Sequence, residues 1–116
     1  MKNKTKLTGT KLVNHLYDKH KDKFDGSIHN TLWQIIINER FKDEKVCFVS
    51  NYSERGLDLG IATKNENGYN FVGCCFKEKI THNEAELIIN ELNNEVFGLT
   101  EKEAMEIELT SMRDIC

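Results

Sequence analysis

Residues 45–80 read "KVCFVSNYSERGLDLGIATKNENGYNFVGCCFKEKI", and whether this stretch is a sheet decides the fold. "KVCFVS" (45–50) is a short apolar run rich in β-branched and aromatic side chains. "GLDLGIATK" (56–64) alternates, so Leu57, Leu59, Ile61 and Thr63 share one face, the period of a half-buried strand. "GYNFVGCCFKEKI" (68–80) is a third run. "NENG" between the second and third is a hairpin turn, with glycine supplying the conformation that closes it. "NYSERG" joins the first two. The expectation is a three-stranded antiparallel meander.

On the N-terminal side, "TKLVNHLYDKHKDKF" (10–24) has helical spacing. Val13, Leu16, Tyr17, His20 and Phe24 fall on one side, Leu12 flanks them, and lysines cover the rest. Thr8 or Thr10 suits the N-cap, and "DG" at 25 and 26 ends the run. Ser27 then caps a second helix to about residue 42, with Ile28, Leu32, Ile35 and Ile36 inward and Trp33, Ile37 and Phe41 on another side. A helix apolar on two sides is sandwiched or keeps a binding face.

The C-terminal side carries two capping boxes, "THNE" (81–84) and "TEKE" (100–103), each a threonine followed three residues later by glutamate. Ala85, Ile88, Ile89, Leu92 and Val96 form the stripe of the first helix, and Met105, Leu109, Met112 and Cys116 that of the second. "FGL" (97–99) separates them. The expected fold is therefore one α+β domain over 1–116, ordered α-α-β-β-β-α-α. It has a basic helical part (1–44), a β meander (45–80) and an acidic helical pair (81–116).

At 116 residues there is room for one core. No apolar run approaches the ~18 residues that span a bilayer. The basic start "MKNKTKLTGTK" is followed by no apolar h-region or cleavage site, so the cytoplasm is the expected location. Cys47, Cys74, Cys75 and Cys116 form no dense framework. Adjacent Cys74 and Cys75 on a strand point to opposite faces and cannot chelate one metal together, so reduced core or edge cysteines are expected. Lysine far outnumbers arginine, asparagine and isoleucine abound and proline is absent, the usage of an AT-rich genome such as a low-GC bacterium, its phages or its plasmids.

Charge is split along the chain. Residues 1–47 hold ten Lys/Arg and six Asp/Glu, net +4; residues 48–82 balance at four and four; residues 83–116 hold nine acids and two bases, net −7. Such asymmetry speaks about association and not about fold. Glu84, Glu91 and Glu95 fall on one side of the first acidic helix. Glu103, Glu106 and Asp114 lie away from the stripe of the second, with Glu101 and Glu108 on another edge. The plain reading is a solvated face with glutamates favouring helix N-termini. The functional reading is a surface complementary to a basic partner, such as a protein whose groove normally holds phosphates.

Catalytic and ligand motifs do not emerge. His20 lies on an apolar stripe, His15 among lysines and His82 inside a capping box, with no metal-ligand spacing beside them. Gly56, Gly60, Gly68 and Gly73 are scattered, and neither a dinucleotide fingerprint nor a P-loop is present. No cofactor, metal or enzymatic activity is expected.

The leading expectation is a small non-catalytic binding protein, phage or mobile-element encoded. It would block a host nucleic-acid-handling or defence protein in an anti-CRISPR-like manner. Its contacts would be Glu84, Glu91, Glu95, Glu103, Glu106 and Asp114, with Trp33 and Phe41 as aromatic anchors. The alternative is a DNA-binding transcription or replication accessory protein using Lys2, Lys4, Lys6, Lys11, Lys19, Lys21 and Lys23 on phosphates. The sequence pI near 5.8 weighs against it. A third expectation is a homodimer burying Trp33, Ile37 and Phe41 across a two-fold axis.

Overall fold

The alternation of the middle third produces the expected meander. In the computed structural model, which describes residues 7–26, 28–42, 45–54, 56–63 and 69–112, β2 (Val46–Ser53), β3 (Gly56–Thr63) and β4 (Tyr69–Phe76) pair antiparallel in sequence order. Val46 stands opposite Thr63, and Leu59 opposite Cys74, with a bulge between Leu59 and Gly60. Helices α1 (Gly9–His20) and α2 (Ile28–Ile36) precede the sheet; α3 (His82–Phe97) and α4 (Glu101–Met112) follow it. This is the α-α-β-β-β-α-α order expected of the α+β fold. A fourth, short strand β1 (Phe24–Gly26) is added at one edge, giving the order β1-β4-β3-β2.

The strand β1 was hidden because Phe24 continues the helical stripe of residues 10–24. A 3-10 turn at Lys21–Lys23 ends that helix early, and Phe24 then pairs with Phe76, their rings stacked at 4.5 Å. The buried ring contact repays the lost helical turn.

Side-chain alternation divides the sheet into two packed faces. Val46 and Phe48 of β2, Leu57, Leu59 and Ile61 of β3, and Cys74 and Phe76 of β4 meet the inward stripes of α1, α2 and α3. On the reverse face Cys47, Val49 and Ala62 meet Ala104 and Ile107 of α4, with Leu99 alongside. The structure therefore has helices on both sides of the sheet. Cys74 is buried in the main core, while Cys75 on the reverse face is half-buried and its thiol donates to Asp58 at 3.1 Å. The two cysteines do point apart, as strand geometry requires.

Two expectations about helices are corrected. The stripe of α4 is Ala104 and Ile107; Met105 and Leu109 are 52% and 60% exposed. Backbone approach sets this rotation. Small Ala104 lets the helix sit close to the sheet, where the Cys47 thiol donates to the Ala104 carbonyl at 3.4 Å. The longer side chains on the neighbouring face are left outward. The side chain of Met112, together with Asp114 and Cys116, lies outside the described residues.

The second correction concerns α2, which ends at Ile36 and not near residue 42. The amides of Ile37 and Asn38 both close on the Trp33 carbonyl, at 2.8 and 3.1 Å, and Glu39 then takes a left-handed conformation, φ 51°. Ile37 and Phe41 thus belong to a loop, partly buried against the core. Ser27, the expected cap, lies outside the described residues, as do Lys2, Lys4, Lys6, Arg55 and the turn at 64–68.

Candidate functional site

The end of α3, the start of α4, the α2–β2 loop and the chain entering α1 (Leu7, Thr8, Gly9) line an open groove of about 700 Å³. Capping chemistry sets its geometry. Thr100 accepts the Glu103 amide at 3.1 Å while Glu103 accepts the Thr100 amide at 2.9 Å, which fixes the first turn of α4. Gly98, at φ 68°, ends α3 in the left-handed conformation that a side chain would oppose. The reversal between the helices brings Glu95 on α3 to the same groove as Glu103 and Glu106 on α4. Leu12, Ile35, Val46, Val96, Phe97 and Ile107 supply an apolar floor. Phe41 of the α2–β2 loop also lines it, with the Arg40 guanidinium 5.1 Å from its ring centre.

Charge around the groove is uneven. Among the described residues, four carboxylates (Glu39, Glu95, Glu103, Glu106) and two ammonium groups (Lys42, Lys45) line it. Glu39 and Lys42 face each other at 3.9 Å on the loop. The Glu103 carboxyl is held below the usual carboxylate range, first by the Thr100 amide, with Lys45 adding a smaller pull.

Of the eight residues expected to bind a partner, Glu95, Glu103, Glu106 and Phe41 converge on this groove. Glu84 and Glu91 do not. Glu84 closes the capping box of α3 with Thr81 and receives Lys23 at 3.0 Å. Its carboxyl is held low by the Thr81 amide first and Lys23 second. Glu91 pairs with Lys19, and the ring of His20 stands 3.5 Å from the same oxygen. The ridge read from spacing is therefore divided: its N-terminal two-thirds ties α3 to α1. Trp33 lies on α2, 36% exposed and stacked on His29 at 6.4 Å, apart from the groove lining. Asp114 falls outside the described residues.

A second, smaller cleft of about 110 Å³ runs along the β2 edge between α3 and α4, with Glu86, Glu101, Met105 and Glu108 on its walls. The Glu108 carboxyl is pushed up by burial and then by Glu86. Beneath this cleft Asn93, 1% exposed, accepts the Phe48 amide at 2.6 Å and donates to the Phe48 carbonyl at 3.1 Å. The side chain acts as a one-residue strand on the open edge of the sheet, satisfying groups that otherwise invite pairing.

Burial pushes the Cys47 thiol up to about 12, and a thiol held protonated is a poor nucleophile. Among the described residues no cluster of three or more His, Cys, Asp or Glu is placed to hold a metal ion, and no helix is long and apolar enough to cross a membrane. Comparison with protein-family models, curated proteins and solved structures finds no match.

Sequence reasoning missed the groove floor and Asn93. Val96 was assigned to the core stripe and Phe97 to a connector. Lys42 and Lys45 were counted only in a net charge.

Proposed function

We propose that this protein is a non-catalytic binding module that blocks a partner with a basic surface, the acidic rim of the groove being its contact. The convergence of Glu95, Glu103 and Glu106 beside an apolar floor supports this reading. A carboxylate row next to open apolar surface combines electrostatic steering with area to bury. A protein that handles nucleic acid presents the matching surface, cationic where phosphates bind. The amino-acid usage, that of an AT-rich genome, suggests a low-GC bacterium or its phages as the setting, and an anti-CRISPR-like inhibitor is the concrete form.

Affinity capture from a low-GC bacterial lysate, with and without nuclease and at two salt concentrations, tests it. The reading expects a nucleic-acid-handling protein that survives nuclease and weakens with salt. Capture of nucleic acid alone, or loss of every partner after nuclease, would turn the assignment to the lysine face of α1.

A further inference from the structure

We infer that the ring row Tyr17, His29 and Trp33, on the surface where α1 meets α2, binds a single strand of nucleic acid. Its bases stack on the rings and its phosphates meet Lys11 and Lys21. Trp33 is not among the groove residues, and the inference stands or falls without the groove. Helical spacing builds the row. His29 and Trp33 share a side of α2, one turn apart, their rings 6.4 Å apart and 24° from parallel. Tyr17 of α1 meets His29 edge-on, at 5.2 Å and 88°. The His29 Nε2–H donates to the Asn14 side-chain oxygen at 3.3 Å, and the Lys21 ammonium lies 5.6 Å from the Tyr17 ring centre. These contacts hold the rings in place before a ligand arrives. Trp33 is 36% exposed and Tyr17 and His29 are half-buried, so ring surface is left to solvent.

Chemistry selects the occupant. Aromatic faces take any base by stacking, and cations beside them track the backbone. A duplex keeps its base faces inside its own stack, so rings select an unpaired strand. Lys11, Asn14, Tyr17 and Lys21 follow one another at steps of three, three and four, which keeps them on one side of α1. Lys11 and Lys21, both exposed, bracket the row, roughly 15 Å apart along the helix at about 1.5 Å per residue. Lys19 and Lys23 instead turn to Glu91 and Glu84 of α3. Asp18, 4.0 Å from Lys21 and itself exposed, is the carboxylate that a phosphate displaces. Over the full sequence, residues 1–47 hold ten Lys/Arg against six Asp/Glu, so the segment that builds both helices is basic. The acid that brings the sequence pI to about 5.8 is carried by residues 83–116.

Trp33 is the only tryptophan in the chain, so its fluorescence reports on the row directly. The test titrates the full-length chain with oligothymidylate and oligouridylate of about twelve nucleotides, an abasic strand of equal length, and a duplex of equal length. Saturable quenching by either oligonucleotide is expected, with the abasic strand and the duplex at least ~10-fold weaker. In anisotropy with a labelled oligonucleotide, Trp33→Ala should weaken binding at least ~10-fold while Trp33→Phe retains most of it. Lys11→Gln/Lys21→Gln should flatten the salt dependence. Amide NMR spectra check the fold of each variant, and the comparison of strands uses the unmodified chain, so it decides even where a variant fails to fold. Equal binding by the abasic strand or the duplex overturns the inference, as does undiminished binding by folded Trp33→Ala. Quenching by a proline-rich peptide, with none by either oligonucleotide, also overturns it and gives the row to a protein ligand.

Discussion

His20, only 6% exposed, sits in the seam between α1 and α3, its Nε2 lacking a hydrogen bond and standing 3.5 Å from Glu91. Burial lowers its affinity for a proton; Glu91 opposes that, and Lys19 and His15 reinforce it. The native imidazole therefore protonates at lower pH than the unfolded one, near 6.5. The unfolded state binds more protons in that window, so stability falls as pH drops below about 6.5 toward the native value. Urea unfolding across this range should show the decline, and a His20→Gln variant should flatten it; an unchanged slope in the variant would refute the assignment. Asn93 gives a second prediction. Asn93→Ala strips both partners from the Phe48 backbone in a buried site and should cost about 2–3 kcal/mol in denaturant unfolding. The position was partly legible. Asn93 lies four residues after Ile89 and three before Val96, on the inward stripe, but a pattern read in apolar letters passes over a polar residue that faces inward to bond backbone.

The elements were legible where local chemistry fixes them. Both capping boxes form, at Thr81 with Glu84 and at Thr100 with Glu103, because their partners lie within one helical turn. Thr81→Ala and Thr100→Ala should each cost about 1 kcal/mol, and Gly98→Ala a similar amount, about 1 kcal/mol, because it forces a side chain into the left-handed conformation. Thermal or urea melts of the three variants check this. Boundaries set by distant contacts were not legible. Phe24 left its helix for a ring stack with Phe76, a partner fifty-two positions away by subtraction of their numbers. The rotation of α4 turned on the contact between Cys47 and Ala104, whereas periodicity favoured the larger Met105 and Leu109. Spacing along one helix states which residues share a face; the partner decides which face is buried.

At the scale of the molecule, the charge split along the chain is partly an internal matter. Lysines of the +4 segment meet glutamates of the −7 segment where α1 lies beside α3, through Lys19 with Glu91 and Lys23 with Glu84. That explains why the acidic surface is concentrated at the C-terminal end of α3 and on α4. It also changes which substitutions test it. Reversing Glu91 would set two lysines against buried His20 and disturb the seam, and reversing Glu103 would open a capping box. Glu95 and Glu106 both line the groove.

The central claim, that the groove rim recognises a cationic partner, is therefore tested most directly by capture with Glu95→Lys/Glu106→Lys beside the unmodified chain, both shown folded by amide NMR. The account expects the nuclease-resistant partner to be lost, with the amides of α1 and the sheet unmoved. Undiminished capture by the folded double variant would contradict it.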